Sequence, residues 1–452
     1  MIRRFYSLVM RGAQPLLRRK LRRRGEAEPG YLEAVDERFG YYEQPAVPGA
    51  LWVHAVSLGE TRAAAILVDA LRRLDPSLRL LLTHGTATGR AEGARLLRDG
   101  DVQAWLPWDT PQAVQRFLAH FRPSAGVLME TEVWPNLAEA CRGARVPLVL
   151  ANARLSDKSL RQALRMKRLA RPAYASLAAV WAQTEADAQR LARAGATVSG
   201  VFGNLKFDAE PDSRLLAQGR AWRQAATQPV VMFASSREGE EAEFLRVLAA
   251  RREASRATPT STPTAPTADP AWLLVPRHPQ RFDEVAALVQ GAGLSVVRRS
   301  GWGDQGPGPA QVWIGDSLGE MPLYYGLADV ALLGGSFLPL GGQNLIEAAA
   351  CGCPVVMGPH TFNFAEAADN AQAAGAAVRV RTLEEGVRQA VAIASDPRRR
   401  GQHAEAALRF ADAHRGAAAR TAQALLQLLG RPQATERTGI QRAGDGSRRS
   451  PG

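Results

Sequence analysis

Short apolar runs alternate with longer amphipathic stretches along the chain from about residue 50 onward. This alternation is typical of parallel strands joined by crossover helices, because a strand buried on both faces reads as an uninterrupted apolar run. We predict strands at residues 51–56, 78–83, 125–129, 147–151 and 180–183 and, after a pause around 200–211, at 229–235, 272–275, 312–315, 330–334 and 354–357. The pattern therefore predicts an α/β protein with two doubly wound, Rossmann-like halves.

A chain of 452 residues is too long for one compact core and suits two domains. Residues 254–270 are rich in Pro, Thr and Ala and predict a surface insertion, whereas the polar tail at 431–452 predicts disorder. The predicted organisation is a basic segment at 1–27, an N-terminal domain at 28–210, a linker at 211–228, a C-terminal domain at 229–400 and a last helix within 401–430 that could cross back to the first domain.

Residues 1–24 contain nine basic side chains and no acidic one. The apolar residues between them fall on one stripe at helical spacing, which predicts an amphipathic helix. No apolar run reaches the ~20 residues that a membrane-spanning helix needs, and no signal-peptide core is evident. We predict that this helix lies on an anionic membrane surface. A solvated basic arm or a nucleic-acid patch is the alternative, but neither uses the apolar stripe.

Composition and motifs exclude several chemistries. The three cysteines do not have the spacing of a metal site, and Cys351 and Cys353 beside Pro354 indicate small buried residues in a reducing compartment. The chain has no G-x-G-x-x-G after the first predicted strand, no P-loop and no H-E-x-x-H, which argues against hydride and phosphoryl transfer. We expect no metal and no cofactor, because arginine and a helix dipole suffice for a leaving group with one phosphate.

Ligands of open α/β sheets bind at the carboxyl ends of the strands, so the residues that follow each strand are the candidates. Ser57, Gly59 and Glu60 follow the first predicted strand, and Glu60 falls in the first turn of a helix. A carboxylate there is either favoured by the positive helix end or placed as a general base for a hydroxyl group. Gly59 would let a ligand approach the backbone closely.

Charged residues follow other strands of the first half as well. Glu130 and Glu132 come after residues 125–129, where they suit hydroxyl or cation binding and equally the capping of a helix. Arg154 and Lys206 follow two further segments and suit a lipid phosphate or a sugar carboxylate, or else belong to ordinary capped turns.

The second half has three loops suited to anions. Ser236 and Arg237 end one strand, Pro276 and Arg277 follow the next, and the glycines around Gly335 and Ser336 lead into a helix that starts near Asn344 and carries Glu347. Glycines before a helix N-terminus can seat a phosphate, and a carboxylate one turn later can accept hydrogen bonds from ribose hydroxyls. One such loop is a weak signal, but the three together indicate a nucleotide site.

The motifs together resemble those of one family, the 3-deoxy-D-manno-octulosonic acid (Kdo) transferases, which link Kdo to the lipid A precursor in Gram-negative bacteria. The resemblance runs from about residue 28 to residue 428. It rests on the strings ERFGYY, HAVSLGE, METEVWPN, NARLSDKS, GNLKFD, ASSREGEE, PRHPQRF, IGDSLGEMPLYY, GGSF, GGQNLIEAAACGCPVVMGP and the pair Asn363-Phe364. Their number, order and spacing carry the identification.

The resemblance implies a GT-B fold, in which two Rossmann-like domains face each other across a cleft, with CMP-Kdo bound by the C-terminal domain and the lipid acceptor by the N-terminal domain. It implies that Glu60 is the base that deprotonates the acceptor hydroxyl, that attack inverts the anomeric carbon, and that Glu130 and Lys206 help to stabilise the transition state. The residues implied to hold CMP are Pro276, Arg277, Leu318, Gly319, Glu320, Asn344, Leu345, Ile346 and Glu347. Further candidates for contacts with Kdo or phosphate are Ser57, Gly59, Arg154, Ser236, Arg237, Gly335 and Ser336.

The chain departs from the family pattern at Gln343 and Arg237, where relatives often have histidine, and in its basic N-terminal segment, where many have an apolar anchor. Glutamine still donates and accepts hydrogen bonds and arginine still binds an anion, so we expect these two residues to adjust the activity rather than abolish it. The expected partners are CMP-Kdo, a lipid A precursor and the anionic membrane surface, without nucleic acid, at the cytoplasmic face of the bacterial inner membrane. Two alternatives stay open: a transferase of the same fold that uses another nucleotide sugar such as a UDP-sugar, and a non-catalytic membrane-surface or nucleic-acid-binding protein.

Overall fold

The computed structural model describes residues 2–257 and 269–430. The chain forms two compact units: the first consists of Met1–Gly203 and Ala417–Gly452, and the second of Asn204–Gly416. Most of the predicted insertion and the whole predicted disordered tail lie outside the described residues.

The first unit contains a sheet of seven parallel strands in the order β3-β2-β1-β4-β5-β6-β7. Its strands are β1 (Leu51–His54), β2 (Leu80–His84), β3 (Val102–Trp105), β4 (Ala125–Met129), β5 (Leu148–Ala153), β6 (Ala179–Ala182) and β7 (Gly200–Val201). Its helices begin with α1 (Ile2–Gly12) and α2 (Gln14–Ala27) and continue with α3 (Leu58–Leu74), α4 (Ala87–Ala94), α5 (Pro111–Phe121), α6 (Pro135–Gly143), α7 (Asp157–Arg165), α8 (Lys167–Ala175) and α9 (Glu185–Ala194). The central strands are buried along their whole length, because helices cover both faces of the sheet.

The second unit repeats this architecture with the strand order β10-β11-β9-β8-β12-β13-β14. Its strands are β8 (Val230–Ser236), β9 (Ala271–Pro276), β10 (Val296–Arg298), β11 (Val312–Ile314), β12 (Val330–Leu333), β13 (Val355–Met357) and β14 (Ala377–Arg379). Its helices are α10 (Ser213–Ala225), α11 (Glu240–Ala257), α12 (Phe282–Gly291), α13 (Met321–Leu327), α14 (Leu345–Ala350), α15 (Ala365–Ala373), α16 (Leu383–Ala394) and α17 (Pro397–Ala413), after which α18 (Ala417–Leu428) returns to the first unit and packs on α3.

The domain boundaries differ from those that the sequence predicts. The predicted linker at 211–228 is mostly the helix α10, which belongs to the second unit. Gly219 of α10 lies so close to α13 that a Cβ atom there would stand 2.1 Å from the carbonyl oxygen of Leu323. This tight packing fixes α10 on the second unit, and the chain passes between the units at Gly203–Asn204 and again at Gly416–Ala417.

The N-terminal segment forms two helices where the sequence pattern predicts one. Pro15 lies in the first turn of α2, and α1 ends at Gly12. Proline has no N–H to continue the hydrogen-bond ladder, so the helix is interrupted there. None of the helices that the structure describes combines the length and the apolar character that crossing a membrane requires.

Candidate active site

In each unit the winding of the sheet reverses between two neighbouring strands, β1 and β4 in the first and β8 and β12 in the second. Such switch points open a crevice at the carboxyl ends of the strands, where ligands of this fold class bind. Most of the predicted site residues follow these four strands or their neighbours.

Glu60 lies in the first turn of α3, directly beyond β1. Its carboxylate accepts a hydrogen bond from the backbone N–H of Val56 at 2.8 Å and one from the hydroxyl of Ser57 at 3.2 Å. Ser57 in turn caps the helix, because its Oγ accepts from the backbone N–H of Glu60. This reciprocal pair fixes the rotamer of Glu60 and keeps its half-buried carboxyl group at the edge of the sheet. Gly59 beside it is exposed, with open space where a side chain would stand.

Burial raises the pKa of Glu60 to about 7, and the nearby carboxylates Glu130 and Glu132 push it in the same direction. The hydrogen bonds from Val56 and Ser57 favour the ionised form and partly offset this rise. A carboxyl group with a pKa near neutrality is suited to take up a proton from a hydroxyl and to release it again.

Glu130 follows β4 and is almost fully buried, with 3% of its surface exposed. Its backbone has φ 58°, a left-handed conformation that is unfavourable for a residue with a side chain. Its Oε2 accepts a hydrogen bond from Nε of Arg154 at 2.5 Å, and the Arg154 side chain is otherwise more than half exposed. The structure thus brings together two residues that the sequence places 24 positions apart.

Glu132 is the third carboxylate of this group, and burial also raises its pKa. We use the name acidic edge for Glu60, Glu130 and Glu132 at the strand ends of the first unit. The neighbouring helix α6 is capped by Asp109, which accepts from the backbone N–H groups of Asn136 and Leu137. The capping function that the sequence left open for the glutamates thus belongs to Asp109.

In the second unit, Arg237 follows β8 and Arg277 follows β9. Arg277 is exposed, and its Nε donates to Oε1 of Gln343 at 3.2 Å. His278 lies beside them, and its pKa is lowered by burial and by the charges of Arg237, Arg277 and Arg281. We name Arg237 and Arg277 the basic edge, since their charges make this part of the surface attractive to an anion.

The segment 334–343 between β12 and α14, named here the glycine arm, has left-handed backbone at Gly335, Gly341 and Gly342. The N–H groups of Gly335 and Phe337 donate to the carboxylate of Glu240. The amides that the sequence suggests as a phosphate seat at Gly335 are therefore filled by a carboxylate of the protein itself.

Asn344 caps α14 through Oδ1, which accepts from the backbone N–H of Ile346 at 3.2 Å. Asn344 and Glu347 are both half-buried and lie one turn apart on α14. The side chains of Leu345 and Ile346 are buried in the core of the second unit, with exposures of 1% and 2%. Their side chains position the helix, so the predicted contact of Leu345 and Ile346 with CMP stays a prediction that concerns their backbone.

The predicted contacts of Ser236 and Ser336 with Kdo or phosphate likewise stay predictions, although their hydroxyl groups have partners within the protein. Both side chains are fully buried. The hydroxyl of Ser236 donates to Glu241 at 2.9 Å, whereas that of Ser336 donates to the carbonyl of Leu333 and accepts from the N–H of Gly358. These hydroxyls hold loops together.

Leu318 and Gly319 form the tip of the loop between β11 and α13, and Leu318 is 72% exposed. Gly319 has φ 83°, which favours glycine there. Glu320 closes the loop through an ion pair of 2.8 Å with Arg299 and a hydrogen bond from the hydroxyl of Ser317.

Lys206 lies in a short 3-10 helix, Leu205–Asp208, that belongs to the second unit and not, as the sequence predicts, to the N-terminal domain. Its Nζ stands 5.6 Å from the ring centroid of Phe364. Phe207 next to it packs on Phe410, which anchors the lysine to the second unit.

Two further groups of carboxylates were not among the predicted site residues. Glu240 and Glu241 are buried carboxylates, and only their place at the start of a helix after a strand could have drawn attention to them. Asp99-Gly100-Asp101 is an Asp-x-Asp string, but Asp101 pairs with Arg72 and accepts from the N–H groups of Leu80 and Arg98. Among the described residues no three His, Cys, Asp or Glu side chains are grouped so that they could hold a metal ion.

Several known proteins are similar to this chain. A family model described as 3-Deoxy-D-manno-octulosonic-acid transferase (kdotransferase) matches residues 33–209. A 3-deoxy-D-manno-octulosonic acid transferase of Bordetella pertussis is 48% identical over 435 residues, which cover 94% of this chain and 99% of that protein. A protein of the same name from Haemophilus influenzae is 33% identical, over 80% of this chain and 83% of its own length.

Solved structures agree on the fold. Anabaena HepE in complex with UDP covers 84% of this chain and 100% of its own, with a TM-score of 0.53 at 14% identity. A glycosyltransferase from Rickettsia africae covers 84% and 98%, with a TM-score of 0.53 at 10% identity. These likenesses confirm an α/β, GT-B-type fold with two Rossmann-like domains. Since almost half of the aligned residues match the transferase of Bordetella pertussis over nearly its whole length, the chain belongs to the 3-deoxy-D-manno-octulosonic acid transferase family.

Proposed function

We propose that this glycosyltransferase moves Kdo from CMP-Kdo to a lipid A precursor in lipopolysaccharide synthesis, with inversion at the anomeric carbon and Glu60 as the general base. The observation that carries this mechanism is the carboxyl group of Glu60, fixed by Val56 and Ser57 at a sheet switch point with a pKa of about 7. At neutral pH a substantial fraction of this group is ionised and able to accept a proton.

The reaction balances without any further reagent. Glu60 takes the proton of an acceptor hydroxyl while the oxygen forms the new bond to the anomeric carbon of Kdo. The bond from that carbon to the phosphate oxygen breaks, and CMP leaves with the electron pair. Glu130 and Lys206 are proposed to stabilise the transition state, and Arg154 holds Glu130 in place through its 2.5 Å hydrogen bond.

The donor side of the proposal uses the basic edge of the second unit. Arg237 and Arg277 provide positive charge for the phosphate of CMP and the carboxylate of Kdo. Asn344 and Glu347, one turn apart on α14, offer an amide and a carboxylate to the ribose hydroxyls. The proposed CMP contacts are completed by Pro276, by Leu318, Gly319 and Glu320 of one loop, and by the backbone of Leu345 and Ile346.

The finer localisation, at the cytoplasmic face of the inner membrane, is part of the same proposal. Phe5 and Leu8 of α1 are 67% and 65% exposed, and no residue of α1 is buried. Together with Val9, Met166 and Leu169, Phe5 lines a largely apolar cavity of about 410 Å³ between α1 and the α7–α8 turn, and the lining also includes Arg165, Lys167 and Arg168. An apolar surface that also carries cationic side chains fits the boundary between lipid headgroups and acyl chains.

An assay of the full chain with CMP-Kdo and a lipid A precursor tests the function directly. We expect a product heavier than the acceptor by one or more Kdo residues, with release of CMP. CMP rather than UDP should raise the melting temperature of the protein. Transfer from a UDP-sugar instead would support the alternative donor, and the absence of any transfer would contradict the proposal.

A further inference from the structure

The segment between β8 and α11 leads into two adjacent carboxylates that the proposed reaction does not use. Glu240 and Glu241 open α11 and are 1% and 0% exposed. A helix N-terminus favours negative charge, but complete burial of a carboxylate is tolerated only when hydrogen bonds or ion pairs replace its water.

Glu240 finds its partners on two separate segments. Its Oε2 accepts from the backbone N–H of Arg237 at 3.0 Å and of Gly335 at 2.7 Å, and its Oε1 accepts from the N–H of Phe337 at 3.2 Å. Arg237 belongs to the basic edge, and the other two belong to the glycine arm. One side chain thus joins the loop after β8 to the loop after β12, across the switch point of the sheet.

The hydrogen bonds continue from the glycine arm to Arg277. The carbonyl of Gly335 accepts from the N–H of Gly342 at 2.7 Å, which folds the arm back on itself. The next residue, Gln343, accepts from Nε of Arg277 at 3.2 Å. The position of the exposed Arg277 guanidinium therefore depends on how the arm is held.

Glu241 holds the other side of the same region. Its Oε1 accepts from the hydroxyl of Ser236 and from Nη1 of Arg281, at 2.9 and 2.8 Å. The carbonyl of Ser236 accepts the backbone N–H of Arg277 at 2.9 Å. Two series of hydrogen bonds therefore lead to Arg277. One starts at Glu240 and reaches its side chain through the glycine arm, and the other starts at Glu241 and reaches its backbone through Ser236.

We propose that Glu240 is a positioning residue for the donor: it fixes the glycine arm relative to Arg237 and so sets the geometry in which the basic edge and Gln343 meet the donor phosphate. This inference deepens the proposed function and depends on it for the choice of CMP as the ligand. Glu240 itself, buried behind the arm, need not touch the donor.

Glu240→Gln in the full-length protein is the direct test, because glutamine keeps the shape but replaces one of the two accepting carboxylate oxygens with an NH2 group, which cannot accept a hydrogen bond. A backbone N–H of the glycine arm or of Arg237 is then left without its buried acceptor, so we expect the KM for CMP-Kdo and the Kd of CMP to rise about tenfold or more. The expected change in kcat is less than about threefold, and the KM for the acceptor should stay unchanged. A role confined to stability would instead lower the melting temperature and the active fraction without changing the KM for the donor.

The matched control is Glu243→Gln, one turn further along α11, where the half-exposed Glu243 pairs with Arg246. This variant should keep the wild-type KM for CMP-Kdo. A folded Glu240→Gln protein that binds CMP and CMP-Kdo as the wild type does would overturn the inference.

Hydrogen exchange in the wild-type protein gives a second measurement that needs no variant to fold. The N–H groups of Gly335 and Phe337 should be strongly protected before CMP is added, since Glu240 already binds them. Exchange of these amides at the rate of solvent-exposed loop amides would show that Glu240 does not hold the glycine arm. If these amides are protected but the wild type neither binds CMP nor transfers Kdo, the proposed function is wrong. The hydrogen bonds from the glycine arm to Glu240 would then have a structural role only.

Discussion

The two units have the same scaffold, seven parallel strands with a switch of winding beside the first strand of each, yet they use carboxylates in opposite ways. In the first unit Glu60, Glu130 and Glu132 lie at the strand ends, and burial, together with the charges of Glu130 and Glu132, raises the pKa of Glu60. In the second unit Glu240 and Glu241 turn inward onto N–H groups and Arg281, which leaves Arg237 and Arg277 at the surface. The first arrangement favours removal of a proton, and the second favours binding of an anion.

The largest effect expected from this contrast is that of Glu60→Gln. Removal of a general base costs about 10²–10⁴-fold in turnover, and the change leaves the proposed donor residues of the second unit in place. We therefore expect kcat to fall by that factor while the Kd of CMP, measured by calorimetry, stays as in the wild type. Asp69→Asn, an exposed position on the same helix α3, is the control and should retain full activity. Unchanged turnover in Glu60→Gln would remove Glu60 from its role.

Arg277→Ala should weaken the binding of CMP and leave the pH dependence of activity unchanged. The lost charge–phosphate contact is worth about 1.5–3 kcal/mol, or roughly 10–100-fold in the Kd of CMP. The acidic edge is intact in this variant, so the pH at which activity reaches half its plateau should not move. Arg246→Ala, which removes an exposed arginine from α11, should bind CMP normally. Equal CMP binding by Arg277→Ala and the wild type would show that the basic edge is not the donor site.

The sequence predicted the central strands of both sheets and missed one class of element. All ten predicted strands are present, and the strands that were not predicted, β3, β7, β10 and β14, are the edges of the two sheets. An edge strand pairs on one side only, and the four here have two to four residues each, so none of them produces a long apolar run.

Strand ends were easier to predict than the directions of side chains. The position of Glu60 after β1 and of Arg237 after β8 follows from the alternation of strands and helices alone. The inward direction of Ser236, Ser336, Leu345 and Ile346 does not, because it depends on partners such as Glu241, Gly358 and the core of the second unit. The motifs therefore predict which loops carry the candidate site, but they do not separate side chains that are exposed from those that hold the loop.

The two units are also expected to differ in binding to a membrane, since helix α1, with its exposed Phe5 and Leu8, belongs to the first unit. Burial of one large apolar side chain is worth about 1.5–3 kcal/mol, so Phe5→Ser with Leu8→Ser should weaken binding to anionic phospholipid vesicles at least tenfold. Both side chains are mostly exposed, and the melting temperature should not change. Activity on a detergent-dispersed acceptor should persist. Leu288→Ser, which replaces an exposed leucine of the second unit, is the control, and equal sedimentation of all three proteins with vesicles would place the membrane contact elsewhere.

The smallest effect, and the most specific for the acidic edge, is a shift of a pH profile. Glu60 must be ionised to act as a base, and its pKa is raised to about 7, so kcat/KM should rise with pH and level off above neutrality. Glu132→Gln removes one of the negative charges that raise this pKa, so the rising limb should move to lower pH, by less than about one unit at this partly exposed site. Arg277→Ala should leave the limb in place, because Arg277 is not among the charges that shift the pKa of Glu60. The rise of kcat/KM could occur at the same pH in Glu132→Gln as in the wild type, or it could persist in the residual activity of Glu60→Gln. Either result would mean that the titrating group is not Glu60.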